Sequence, residues 1–353
     1  MTNNLNIVSG SLDHLCLLRL SAVGDICHTL PVVRTLQAHL PDTRITWIIG
    51  KTEYGLVSDI PGVNFVIFDK SLGLKAYWNV WRQLKGKRFD VLLHMQMSLR
   101  SSMLNLLVSA PVKIGFDKKR AKDMQWIFSN KKITHQPRQH VIDSFFGFTE
   151  ALGISEHIYK WDIPIPAEAE SFADQHLLHG KKVLVISPCS SMAYRNWSIA
   201  GYAAVAEYAV DKYDMQVVLT GGPSEIEKQF GDNISKIAKS KVTNLIGKTN
   251  LKQLLAVLNR ATAVVSPDAG PAHMATAVNT PVIGLYATTN PDRARPYLSA
   301  EYTINHYQAA LRDKYGKSVD EMSWGARVRD DGTMDRIKVD DVTSMLDKIM
   351  SAK

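Results

Sequence analysis

The sequence predicts an α/β protein of two Rossmann-like domains that face a cleft. Its 353 residues exceed what one hydrophobic core usually organises. Strand-like apolar runs alternate with helical patterns through both halves, which is typical of βαβ units around a parallel sheet. Near each end of the chain a buried strand leads into a small-residue turn with one aspartate, Asp25 or Asp268, and then into a helix. Such turns bind ligands at the carboxyl edge of open α/β sheets.

In the first half, short apolar runs predict strands at residues 15–20, 45–49, 65–68, 90–94 and 113–116. The apolar spacing of residues 26–40 predicts a helix between the first two strands. Pro31 leaves two alternatives: it kinks this helix, or the regular part begins with Thr29 as cap and Pro31 in its first turn. A further helical pattern runs from His140 to Gly153.

The prolines of residues 161–166 predict an extended linker. We therefore expect a first domain at 1–160, a second at 161–335, and a C-terminal helix within 336–353 that could pack back on the first domain. The second domain is expected to repeat the scheme, with strands at residues 183–187, 216–220, 244–246, 263–266 and 282–286.

The composition is that of an ordinary folded protein, with 45% hydrophobic and 22% charged residues. A formal net charge of +8 favours anionic partners or a generally basic, solvated surface. Basic residues concentrate in one segment of the first half: Lys113, Lys118, Lys119, Arg120, Lys122, Lys131, Lys132 and Arg138. No nucleic-acid-binding motif accompanies them, so we expect no nucleic acid partner.

Cysteine usage and hydropathy indicate a cytoplasmic protein. The three cysteines lack the spacing of a metal site, and Cys16 lies in a predicted buried strand, which favours a reducing compartment. Residues 1–10 lack the basic and apolar regions of a signal peptide. No apolar run approaches the ~20 residues needed to cross a bilayer.

The first turn places Gly24 and Asp25 between a strand and a helix. A glycine there lets a substrate approach the backbone closely, and the aspartate can accept a proton. Alternatively, Asp25 caps the helix that follows, a common role for aspartate. The turn lacks the G-x-G-x-x-G pattern, which argues against a nicotinamide or flavin enzyme.

Three loops of the second half suit a nucleotide. After one predicted strand, Ser190, Ser191 and Arg195 offer hydroxyls and a guanidinium to phosphate. After the next strand, Glu225 opens a helix, where it could accept ribose hydroxyls or merely complement the helix N-terminus.

The turn at Asp268 is the third loop. Gly270 permits an unusual backbone conformation, Pro271 suits the first turn of a helix, and the N–H groups around Ala272 favour an anion. Asp268 beside a phosphate would be repulsive, so we expect it to hold the loop or a sugar hydroxyl. His273 either donates a hydrogen bond to the ligand or packs under the helix.

Two motifs carry a resemblance to a known family. The first is LRLSAVGD at residues 18–25, followed by HTLPV at residues 28–32; the second is SPDAGPAHM at residues 266–274. Together they resemble the two signatures of the bacterial lipopolysaccharide heptosyltransferases, glycosyltransferase family nine. The likeness extends over essentially the whole chain and is greatest to enzymes that add the first heptose.

The resemblance implies a GT-B fold, with the donor nucleotide on the second domain and the acceptor on the first. It implies an inverting transfer of heptose from ADP-heptose to the Kdo-lipid A inner core of lipopolysaccharide, without a metal or another cofactor. Asp25 matches the family's general base, which takes the proton of the attacking acceptor hydroxyl. Because this acceptor is lipid-linked, we expect peripheral contact with the cytoplasmic face of the inner membrane.

Three positions depart from the family pattern. Arg195 stands where lysine is common, so the charge is kept while its geometry changes. Met274 replaces a leucine, which is a small apolar change. His94 stands where an aspartate is frequent, in a segment that resembles the acceptor side.

On the acceptor side, the resemblance implies contacts from Gly24 and Gln96. It also implies a basic group that meets the acidic sugars and phosphates of the acceptor: Arg100, Lys118, Lys119, Arg120 and His140. A flexible, solvated basic loop is the alternative. Trp78 and Trp81, three apart on a predicted helix, are interpreted as core residues rather than lipid contacts.

The sequence alone leaves other functions open. A transferase of the same family could use another donor or a later core acceptor. A GT-B sugar-nucleotide epimerase would share the nucleotide site and need no lipid acceptor. A catalytically silent nucleotide-sugar binding protein is the third class, against which the retained Asp25 and both motifs argue.

Overall fold

The computed structural model describes residues 12–121 and 123–352. The chain divides into two compact units between Pro164 and Ile165, inside the segment predicted as a linker, and we refer to these units as the first and second domains. Lys122 of the basic segment and residues 1–10, on which the signal-peptide expectation depends, lie outside the described residues.

The described part of the first domain alternates strands and helices. Its strands are β1 (His14–Leu18), β2 (Arg44–Gly50), β3 (Val63–Phe68), β4 (Val91–His94), β5 (Val112–Gly115) and β6 (Lys131–Lys132). Its helices are α1 (Val23–His39), α2 (Lys51–Val57), α3 (Leu74–Leu84), α4 (Leu99–Asn105) and α5 (Val141–Glu150). The strands form one parallel sheet in the order β3-β2-β1-β4-β5-β6. Its winding therefore reverses between β1 and β4, the topological switch point where such sheets bind ligands.

All five predicted strands of this domain form, with ends that differ by one or two residues. The sequence missed β6, because its two residues, Lys131 and Lys132, are exposed and carry no apolar pattern. The predicted helix after His140 is confirmed as α5.

Helix α1 continues through Pro31, so the alternative in which it begins after a Thr29 cap is wrong. A proline at this position leaves the carbonyl four residues earlier without its helical donor. That carbonyl, Cys27 O, accepts a hydrogen bond from Trp161 Nε1 at 2.8 Å instead. The buried indole therefore compensates for the missing N–H and lets the helix extend from Val23 to His39.

The first-domain core lies between the sheet and its helices. Leu18, Ile48 and Leu92 from three neighbouring strands pack with Ala76 and Val80 of α3. Leu84 of α3 belongs to the same core, and Tyr77 packs against it, whereas Leu74 is exposed. Trp78 and Trp81 are exposed, so the interpretation of both as core residues is wrong.

The second domain repeats this architecture within the described residues. Its strands are β7 (Val183–Ile186), β8 (Gln216–Leu219), β9 (Val242–Asn244), β10 (Ala263–Pro267), β11 (Val282–Tyr286) and β12 (Thr303–Asn305). Its helices are α6 (Ala167–His176), α7 (Ile199–Tyr213), α8 (Glu225–Ile237), α9 (Leu251–Asn259), α10 (Gly270–Ala277), α11 (Pro291–Ala294), α12 (Tyr307–Tyr315) and α13 (Val339–Ser351). The parallel order β12-β11-β10-β7-β8-β9 puts the switch point between β7 and β10. The five predicted strands form, with β9 starting two residues early, and the short edge strand β12 was missed.

The C-terminal helix α13 contributes to the second-domain core. Val342, Leu346 and Ile349 are buried in the same cluster as the strand residues of that domain, and α13 contacts α7 and β11. These contacts place α13 in the second domain, and the expectation that residues 336–353 pack back on the first domain stays a prediction. No helix in the described residues has both the length and the hydropathy required to span a membrane.

Candidate active site

In the first domain, the loops after β1 and β4 meet at the switch point. Gln96 Oε1 accepts a hydrogen bond from Leu20 N at 2.6 Å, and Arg19 Nη1 donates to Met95 O at 2.6 Å. Each contact joins one loop to the other. The predicted residues Asp25 and Gln96 therefore lie at one edge of this sheet.

Asp25 lies in the first turn of α1, just after Gly24, and its side chain is 35% exposed. The buried Arg19 forms an ion pair with Asp25 Oδ2, and the N–H of Ala22 donates to the same oxygen at 3.3 Å. The N-cap residue is Ala22, so Asp25 does not cap the helix from that position. Its carboxylate instead accepts the Ala22 N–H from within the first turn and remains partly exposed to solvent.

The charge of Asp25 is set by its neighbours. Burial alone would raise the pKa of the Asp25 carboxyl, but the Arg19 guanidinium, His28 and the Ala22 N–H outweigh burial. Together they hold this pKa well below its ordinary value. The carboxylate is therefore ionised at neutral pH and able to accept a proton.

Two histidines lie beneath this carboxylate. His28 Nδ1 is 3.9 Å from Asp25 Oδ1, and the rings of His28 and His140 meet edge to face at 5.7 Å. Both histidines are buried, and His140 caps α5 through a hydrogen bond from Ile142 N to its Nδ1. The structure thus places His140 near Asp25 through His28, at the start of a helix and not on the surface.

His94 is buried at the end of β4 and supports the acceptor-side loop from below. Burial, with two nearby cations, lowers the pKa of His94 to about 3, so the ring is neutral. Its Nδ1 accepts from Asn105 Nδ2 at 3.0 Å, which leaves Nε2–H to donate to Ser101 Oγ at 3.1 Å. Ser101 Oγ donates in turn to Gln96 O at 2.8 Å. The position that departs from the family pattern therefore fixes the backbone of a predicted acceptor residue.

The predicted basic residues of the acceptor side differ in their exposure and in their contacts. Three of its members are exposed: Arg100, Lys118 and Lys119. Arg120 instead pairs with Asp117 and donates to Thr134 O and Ser144 Oγ, each at 2.8 Å. Its guanidinium is thus engaged in organising this loop, because these contacts use donors on all three of its nitrogens.

In the second domain, Arg195 and Asp268 meet at the switch point, after β7 and β10. Arg195 Nη1 lies 3.2 Å from Asp268 Oδ2 and donates to Asp268 O at 3.0 Å. Burial would raise the pKa of Asp268, but hydrogen bonding by His273, the charge of Arg195 and Thr289 lower it. Asp268 therefore holds the loop, which is one of the two roles predicted for it.

Arg195 keeps a donor for a ligand. Its Nε is buried and has no hydrogen-bond partner among the described residues. Two guanidinium groups lie near the Tyr194 ring, with its centroid 5.7 Å from Arg195 Cζ and 5.8 Å from Arg329 Cζ. A buried N–H donor and this positive environment suit a phosphate oxygen.

Ser190 is tied into the same loop, whereas Ser191 is exposed. Ser190 Oγ donates to Asp268 O at 3.1 Å, and its N–H donates to Asn196 Oδ1 at 2.8 Å. Trp197 Nε1 donates to Ile337 O at 3.0 Å and anchors the end of the loop.

Helix α10 begins at Gly270, with Pro271 in its first turn. Gly270 does not adopt a positive φ, so the expectation of an unusual backbone conformation is wrong; the residue starts an ordinary helix. Ala272 and His273 are buried, and His273 Nε2 is 3.9 Å from Asp268 Oδ1. His273 therefore lies under the turn, beside the aspartate.

The loop after β8 contacts Glu227 rather than Glu225. Glu225 is exposed and pairs with Lys228 at 2.8 Å. Glu227 folds back, and its Oε2 accepts the N–H of Gly222. The structure thus supports the interpretation in which Glu225 complements the positive N-terminus of α8. The carboxylate that reaches the sheet edge is that of Glu227.

Sequence reasoning missed Arg19 and Glu227 as site residues. The signal for Glu227 was the pattern S-x-x-E that starts at Ser224, whose hydroxyl accepts the Glu227 N–H at 3.3 Å. No local pattern identifies Arg19, because it meets Asp25 only once the chain folds. In the described residues, no three His, Cys, Asp or Glu side chains group as metal ligands would.

Comparisons with known proteins identify the family. The sequence profile of "Glycosyltransferase family 9 (heptosyltransferase)" matches residues 77–322. The lipopolysaccharide core heptosyltransferase OpsX of Haemophilus influenzae is 42% identical over 335 residues, which are 95% of this chain and 96% of OpsX.

Two solved structures show the same fold. The crystal structure of the family 9 glycosyl transferase of Veillonella parvula superimposes with a TM-score of 0.80 at 20% identity, covering 98% of this chain and 99% of that one. The E. coli heptosyltransferase WaaC with ADP-2-deoxy-2-fluoro heptose superimposes with a TM-score of 0.71 at 19% identity, covering 95% and 99%. The predicted fold class is thereby confirmed, and the chain belongs to glycosyltransferase family 9, the heptosyltransferase family, as a glycosyltransferase with the GT-B fold.

Proposed function

We propose that this glycosyltransferase transfers heptose from ADP-heptose to the Kdo-lipid A inner core of lipopolysaccharide, with inversion and without a metal ion. The observation that carries the proposal is the Asp25 carboxylate, held ionised by Arg19 and still 35% exposed at the switch-point edge. The relatives support the substrates: OpsX is named a lipopolysaccharide core heptosyltransferase, and WaaC was solved with a fluorinated ADP-heptose.

In this proposal Asp25 is the general base. It removes the proton of the acceptor hydroxyl while that oxygen attacks the anomeric carbon of the heptose. The bond from this carbon to the phosphate oxygen breaks on the opposite face, and ADP leaves with the electron pair. A positioned base of this kind contributes roughly 10²–10⁴ in rate.

The leaving diphosphate needs positive charge and N–H donors. Arg195, with its unpartnered buried Nε, is the main candidate in the second domain. The first turn of α10, around Ala272, adds backbone N–H groups and the positive end of a helix dipole. Glu227 replaces Glu225 as our candidate for the ribose hydroxyls, because it is the carboxylate that reaches the loop after β8.

The acceptor would bind along the first-domain edge. Gly24 precedes Asp25, and Gln96 contacts the loop that leads to it through Leu20 N. The exposed cations Arg100, Lys118 and Lys119 suit acidic sugars and phosphates. Since Kdo-lipid A is membrane-anchored, we expect the enzyme to act peripherally at the cytoplasmic face of the inner membrane.

The test is ADP release from ADP-heptose with and without Kdo-lipid A, with the lipid product identified by mass spectrometry. We expect acceptor-dependent release, one added heptose, and no effect of a chelator. Asp25→Asn should lower kcat by roughly 10²–10⁴ and leave ADP-heptose affinity nearly unchanged. Asp211→Asn, an exposed aspartate on α7, is the matched control and should behave as wild type.

The alternatives give different products. Release only with an acceptor that already carries heptose would identify a later core transferase. An altered but intact nucleotide-sugar would identify an epimerase. Full turnover by a folded Asp25→Asn variant would exclude Asp25 as the base.

A further inference from the structure

Helix α3 has one buried face and one exposed apolar face. Ala76, Val80 and Leu84 pack into the first-domain core. The exposed fractions of Leu74, Trp78 and Trp81 are instead 82%, 55% and 42%, respectively. At 100° per residue these three side chains fall within about 60° of one another, so they form a single stripe along the helix.

The segment around this stripe is strongly basic. No acidic residue occurs between Asp69 and Asp90. The same stretch contains six basic residues, all exposed: Lys70, Lys75, Arg82, Lys85, Lys87 and Arg88. We call the Leu74, Trp78 and Trp81 stripe together with these six cations the α3 surface.

Cations and indole rings interleave on this surface. Arg82 Cζ lies 4.9 Å from the Trp78 ring centroid, and Lys85 Nζ lies 5.5 Å from that of Trp81. Exposed tryptophan and leucine beside lysine and arginine are typical of helices that lie in a membrane interface. The apolar stripe would enter the headgroup boundary while the cations meet lipid phosphates.

We propose that the α3 surface docks the enzyme on an anionic phospholipid bilayer. This docking surface adds to the proposed function and rests on it in one respect: an enzyme that acts on a lipid-linked acceptor must reach the membrane. Charge complementarity favours this occupant over a second copy of the chain, because a two-fold contact would set six cations against six. The exposed apolar stripe favours a bilayer over nucleic acid, which offers no hydrocarbon.

The position of α3 suits this role. A short 3-10 turn at Lys70–Leu72 connects β3 to α3, and all strands of the sheet are parallel, so α3 begins near the edge that carries Asp25. Strand β3 is two places from β1 in the sheet, a lateral separation of ~10 Å. A bilayer against the α3 surface would therefore lie beside the acceptor side of the first domain.

The experiment is flotation of the full chain with phosphatidylcholine vesicles, with and without phosphatidylglycerol. We expect wild type to float with the anionic vesicles at low salt and not with neutral ones. Trp78→Ser/Trp81→Ser should weaken this partition on the order of tenfold, since apolar burial is lost. Lys75→Glu/Lys85→Glu should weaken it by about tenfold or more, and added salt should abolish the difference.

Two controls make the result specific. Ile226→Ser removes an apolar side chain that is 67% exposed on α8, a helix with acidic residues in its first turn, and should float as wild type. Trp126→Ser tests the other exposed tryptophan of the first domain, which lies 5.5 Å from Lys118 Nζ, and should also float as wild type.

Flotation of both α3 double variants at the wild-type level would overturn the proposal, as would loss of flotation in Trp126→Ser alone. The proposal would also be overturned if wild type formed a dimer that Trp78→Ser/Trp81→Ser dissociates. Binding of an oligonucleotide that depends on these tryptophans, without binding to vesicles, would overturn it as well. Heptose transfer separates this proposal from the proposed function. With vesicle-borne acceptor the α3 variants should lose kcat/KM, and with a deacylated, water-soluble acceptor they should match wild type. Vesicle binding without any heptose transfer would refute the proposed function alone.

Discussion

At the scale of single residues, the candidate site is organised by paired charges. Arg19 neutralises Asp25 in the first domain, and Arg195 neutralises Asp268 in the second. The two pairs differ in what remains accessible. Asp25 keeps a partly exposed carboxylate, as a base requires, whereas Asp268 is more enclosed and holds a loop whose arginine retains a buried N–H.

Arg19 should control the pH dependence of transfer. Asp25 must be ionised to act as a base, and Arg19 lowers its pKa, so activity should fall only at strongly acidic pH. Arg19→Met removes the cation, and the acidic limb of kcat/KM against pH should move upward by at least about one unit. Arg19→Lys keeps the charge and should move it less.

The pH profiles need a check on folding, because Arg19 also donates to Met95 O. Thermal melting and ADP binding serve that purpose. An Arg19→Met enzyme that is folded, binds ADP and keeps the wild-type acidic limb would show that Arg19 does not set the pKa of the catalytic group.

At the scale of elements, the residue at which a helix begins determines which side chains reach the sheet edge. Helix α8 begins at Glu225, so that residue points into solvent beside Lys228, while Glu227 in the first turn reaches back to Gly222 N. Helix α1 shows the same dependence on tertiary contacts. It passes Pro31 because Trp161, distant in sequence, supplies the donor that Cys27 O would otherwise lack.

The two glutamates of α8 provide a matched comparison. Glu227→Gln replaces the charged acceptor of a backbone N–H by a neutral one and should lower the free energy of unfolding by about 1 kcal/mol. Glu225→Gln should change it by less than about 0.5 kcal/mol, because Glu225 is exposed. Urea denaturation measures both values, and donor affinity should fall only for Glu227→Gln. The reverse order of effects would restore Glu225 as the ribose ligand.

At the scale of the whole molecule, two domains of identical strand order each bring a charged pair to their own switch point. The second domain is completed by α13, whose Leu346 is fully buried in its core. The last helix of the chain is therefore part of the domain that we expect to bind the donor.

Leu346→Ala should destabilise the second domain by about 2–5 kcal/mol, since it leaves a cavity in the core. Ligands stabilise the domain that binds them, so the affected calorimetric transition should be the one that ADP raises. Ser344→Ala, an exposed position on α13, is the control and should melt as wild type. If Leu346→Ala lowered only the melting temperature of the transition that ADP does not affect, the assignment of α13 to the donor-binding domain would be contradicted.

The sequence by itself predicted the fold class, ten of the twelve described strands, and the two aspartate turns. Those features depend on local patterns: apolar runs, helical spacing, and small residues between a strand and a helix. The two missed strands, β6 and β12, are short edge strands with little apolar signal.

Only the tertiary structure decided which side chains meet. Arg19 reaches Asp25, His94 supports Gln96, Glu227 displaces Glu225, and the tryptophans of α3 face solvent. None of these outcomes follows from periodicity, because the buried face of a helix and the charge environment of a carboxylate depend on neighbours that are distant in the chain. Local pattern therefore determined the elements, and long-range packing determined the chemistry at their ends.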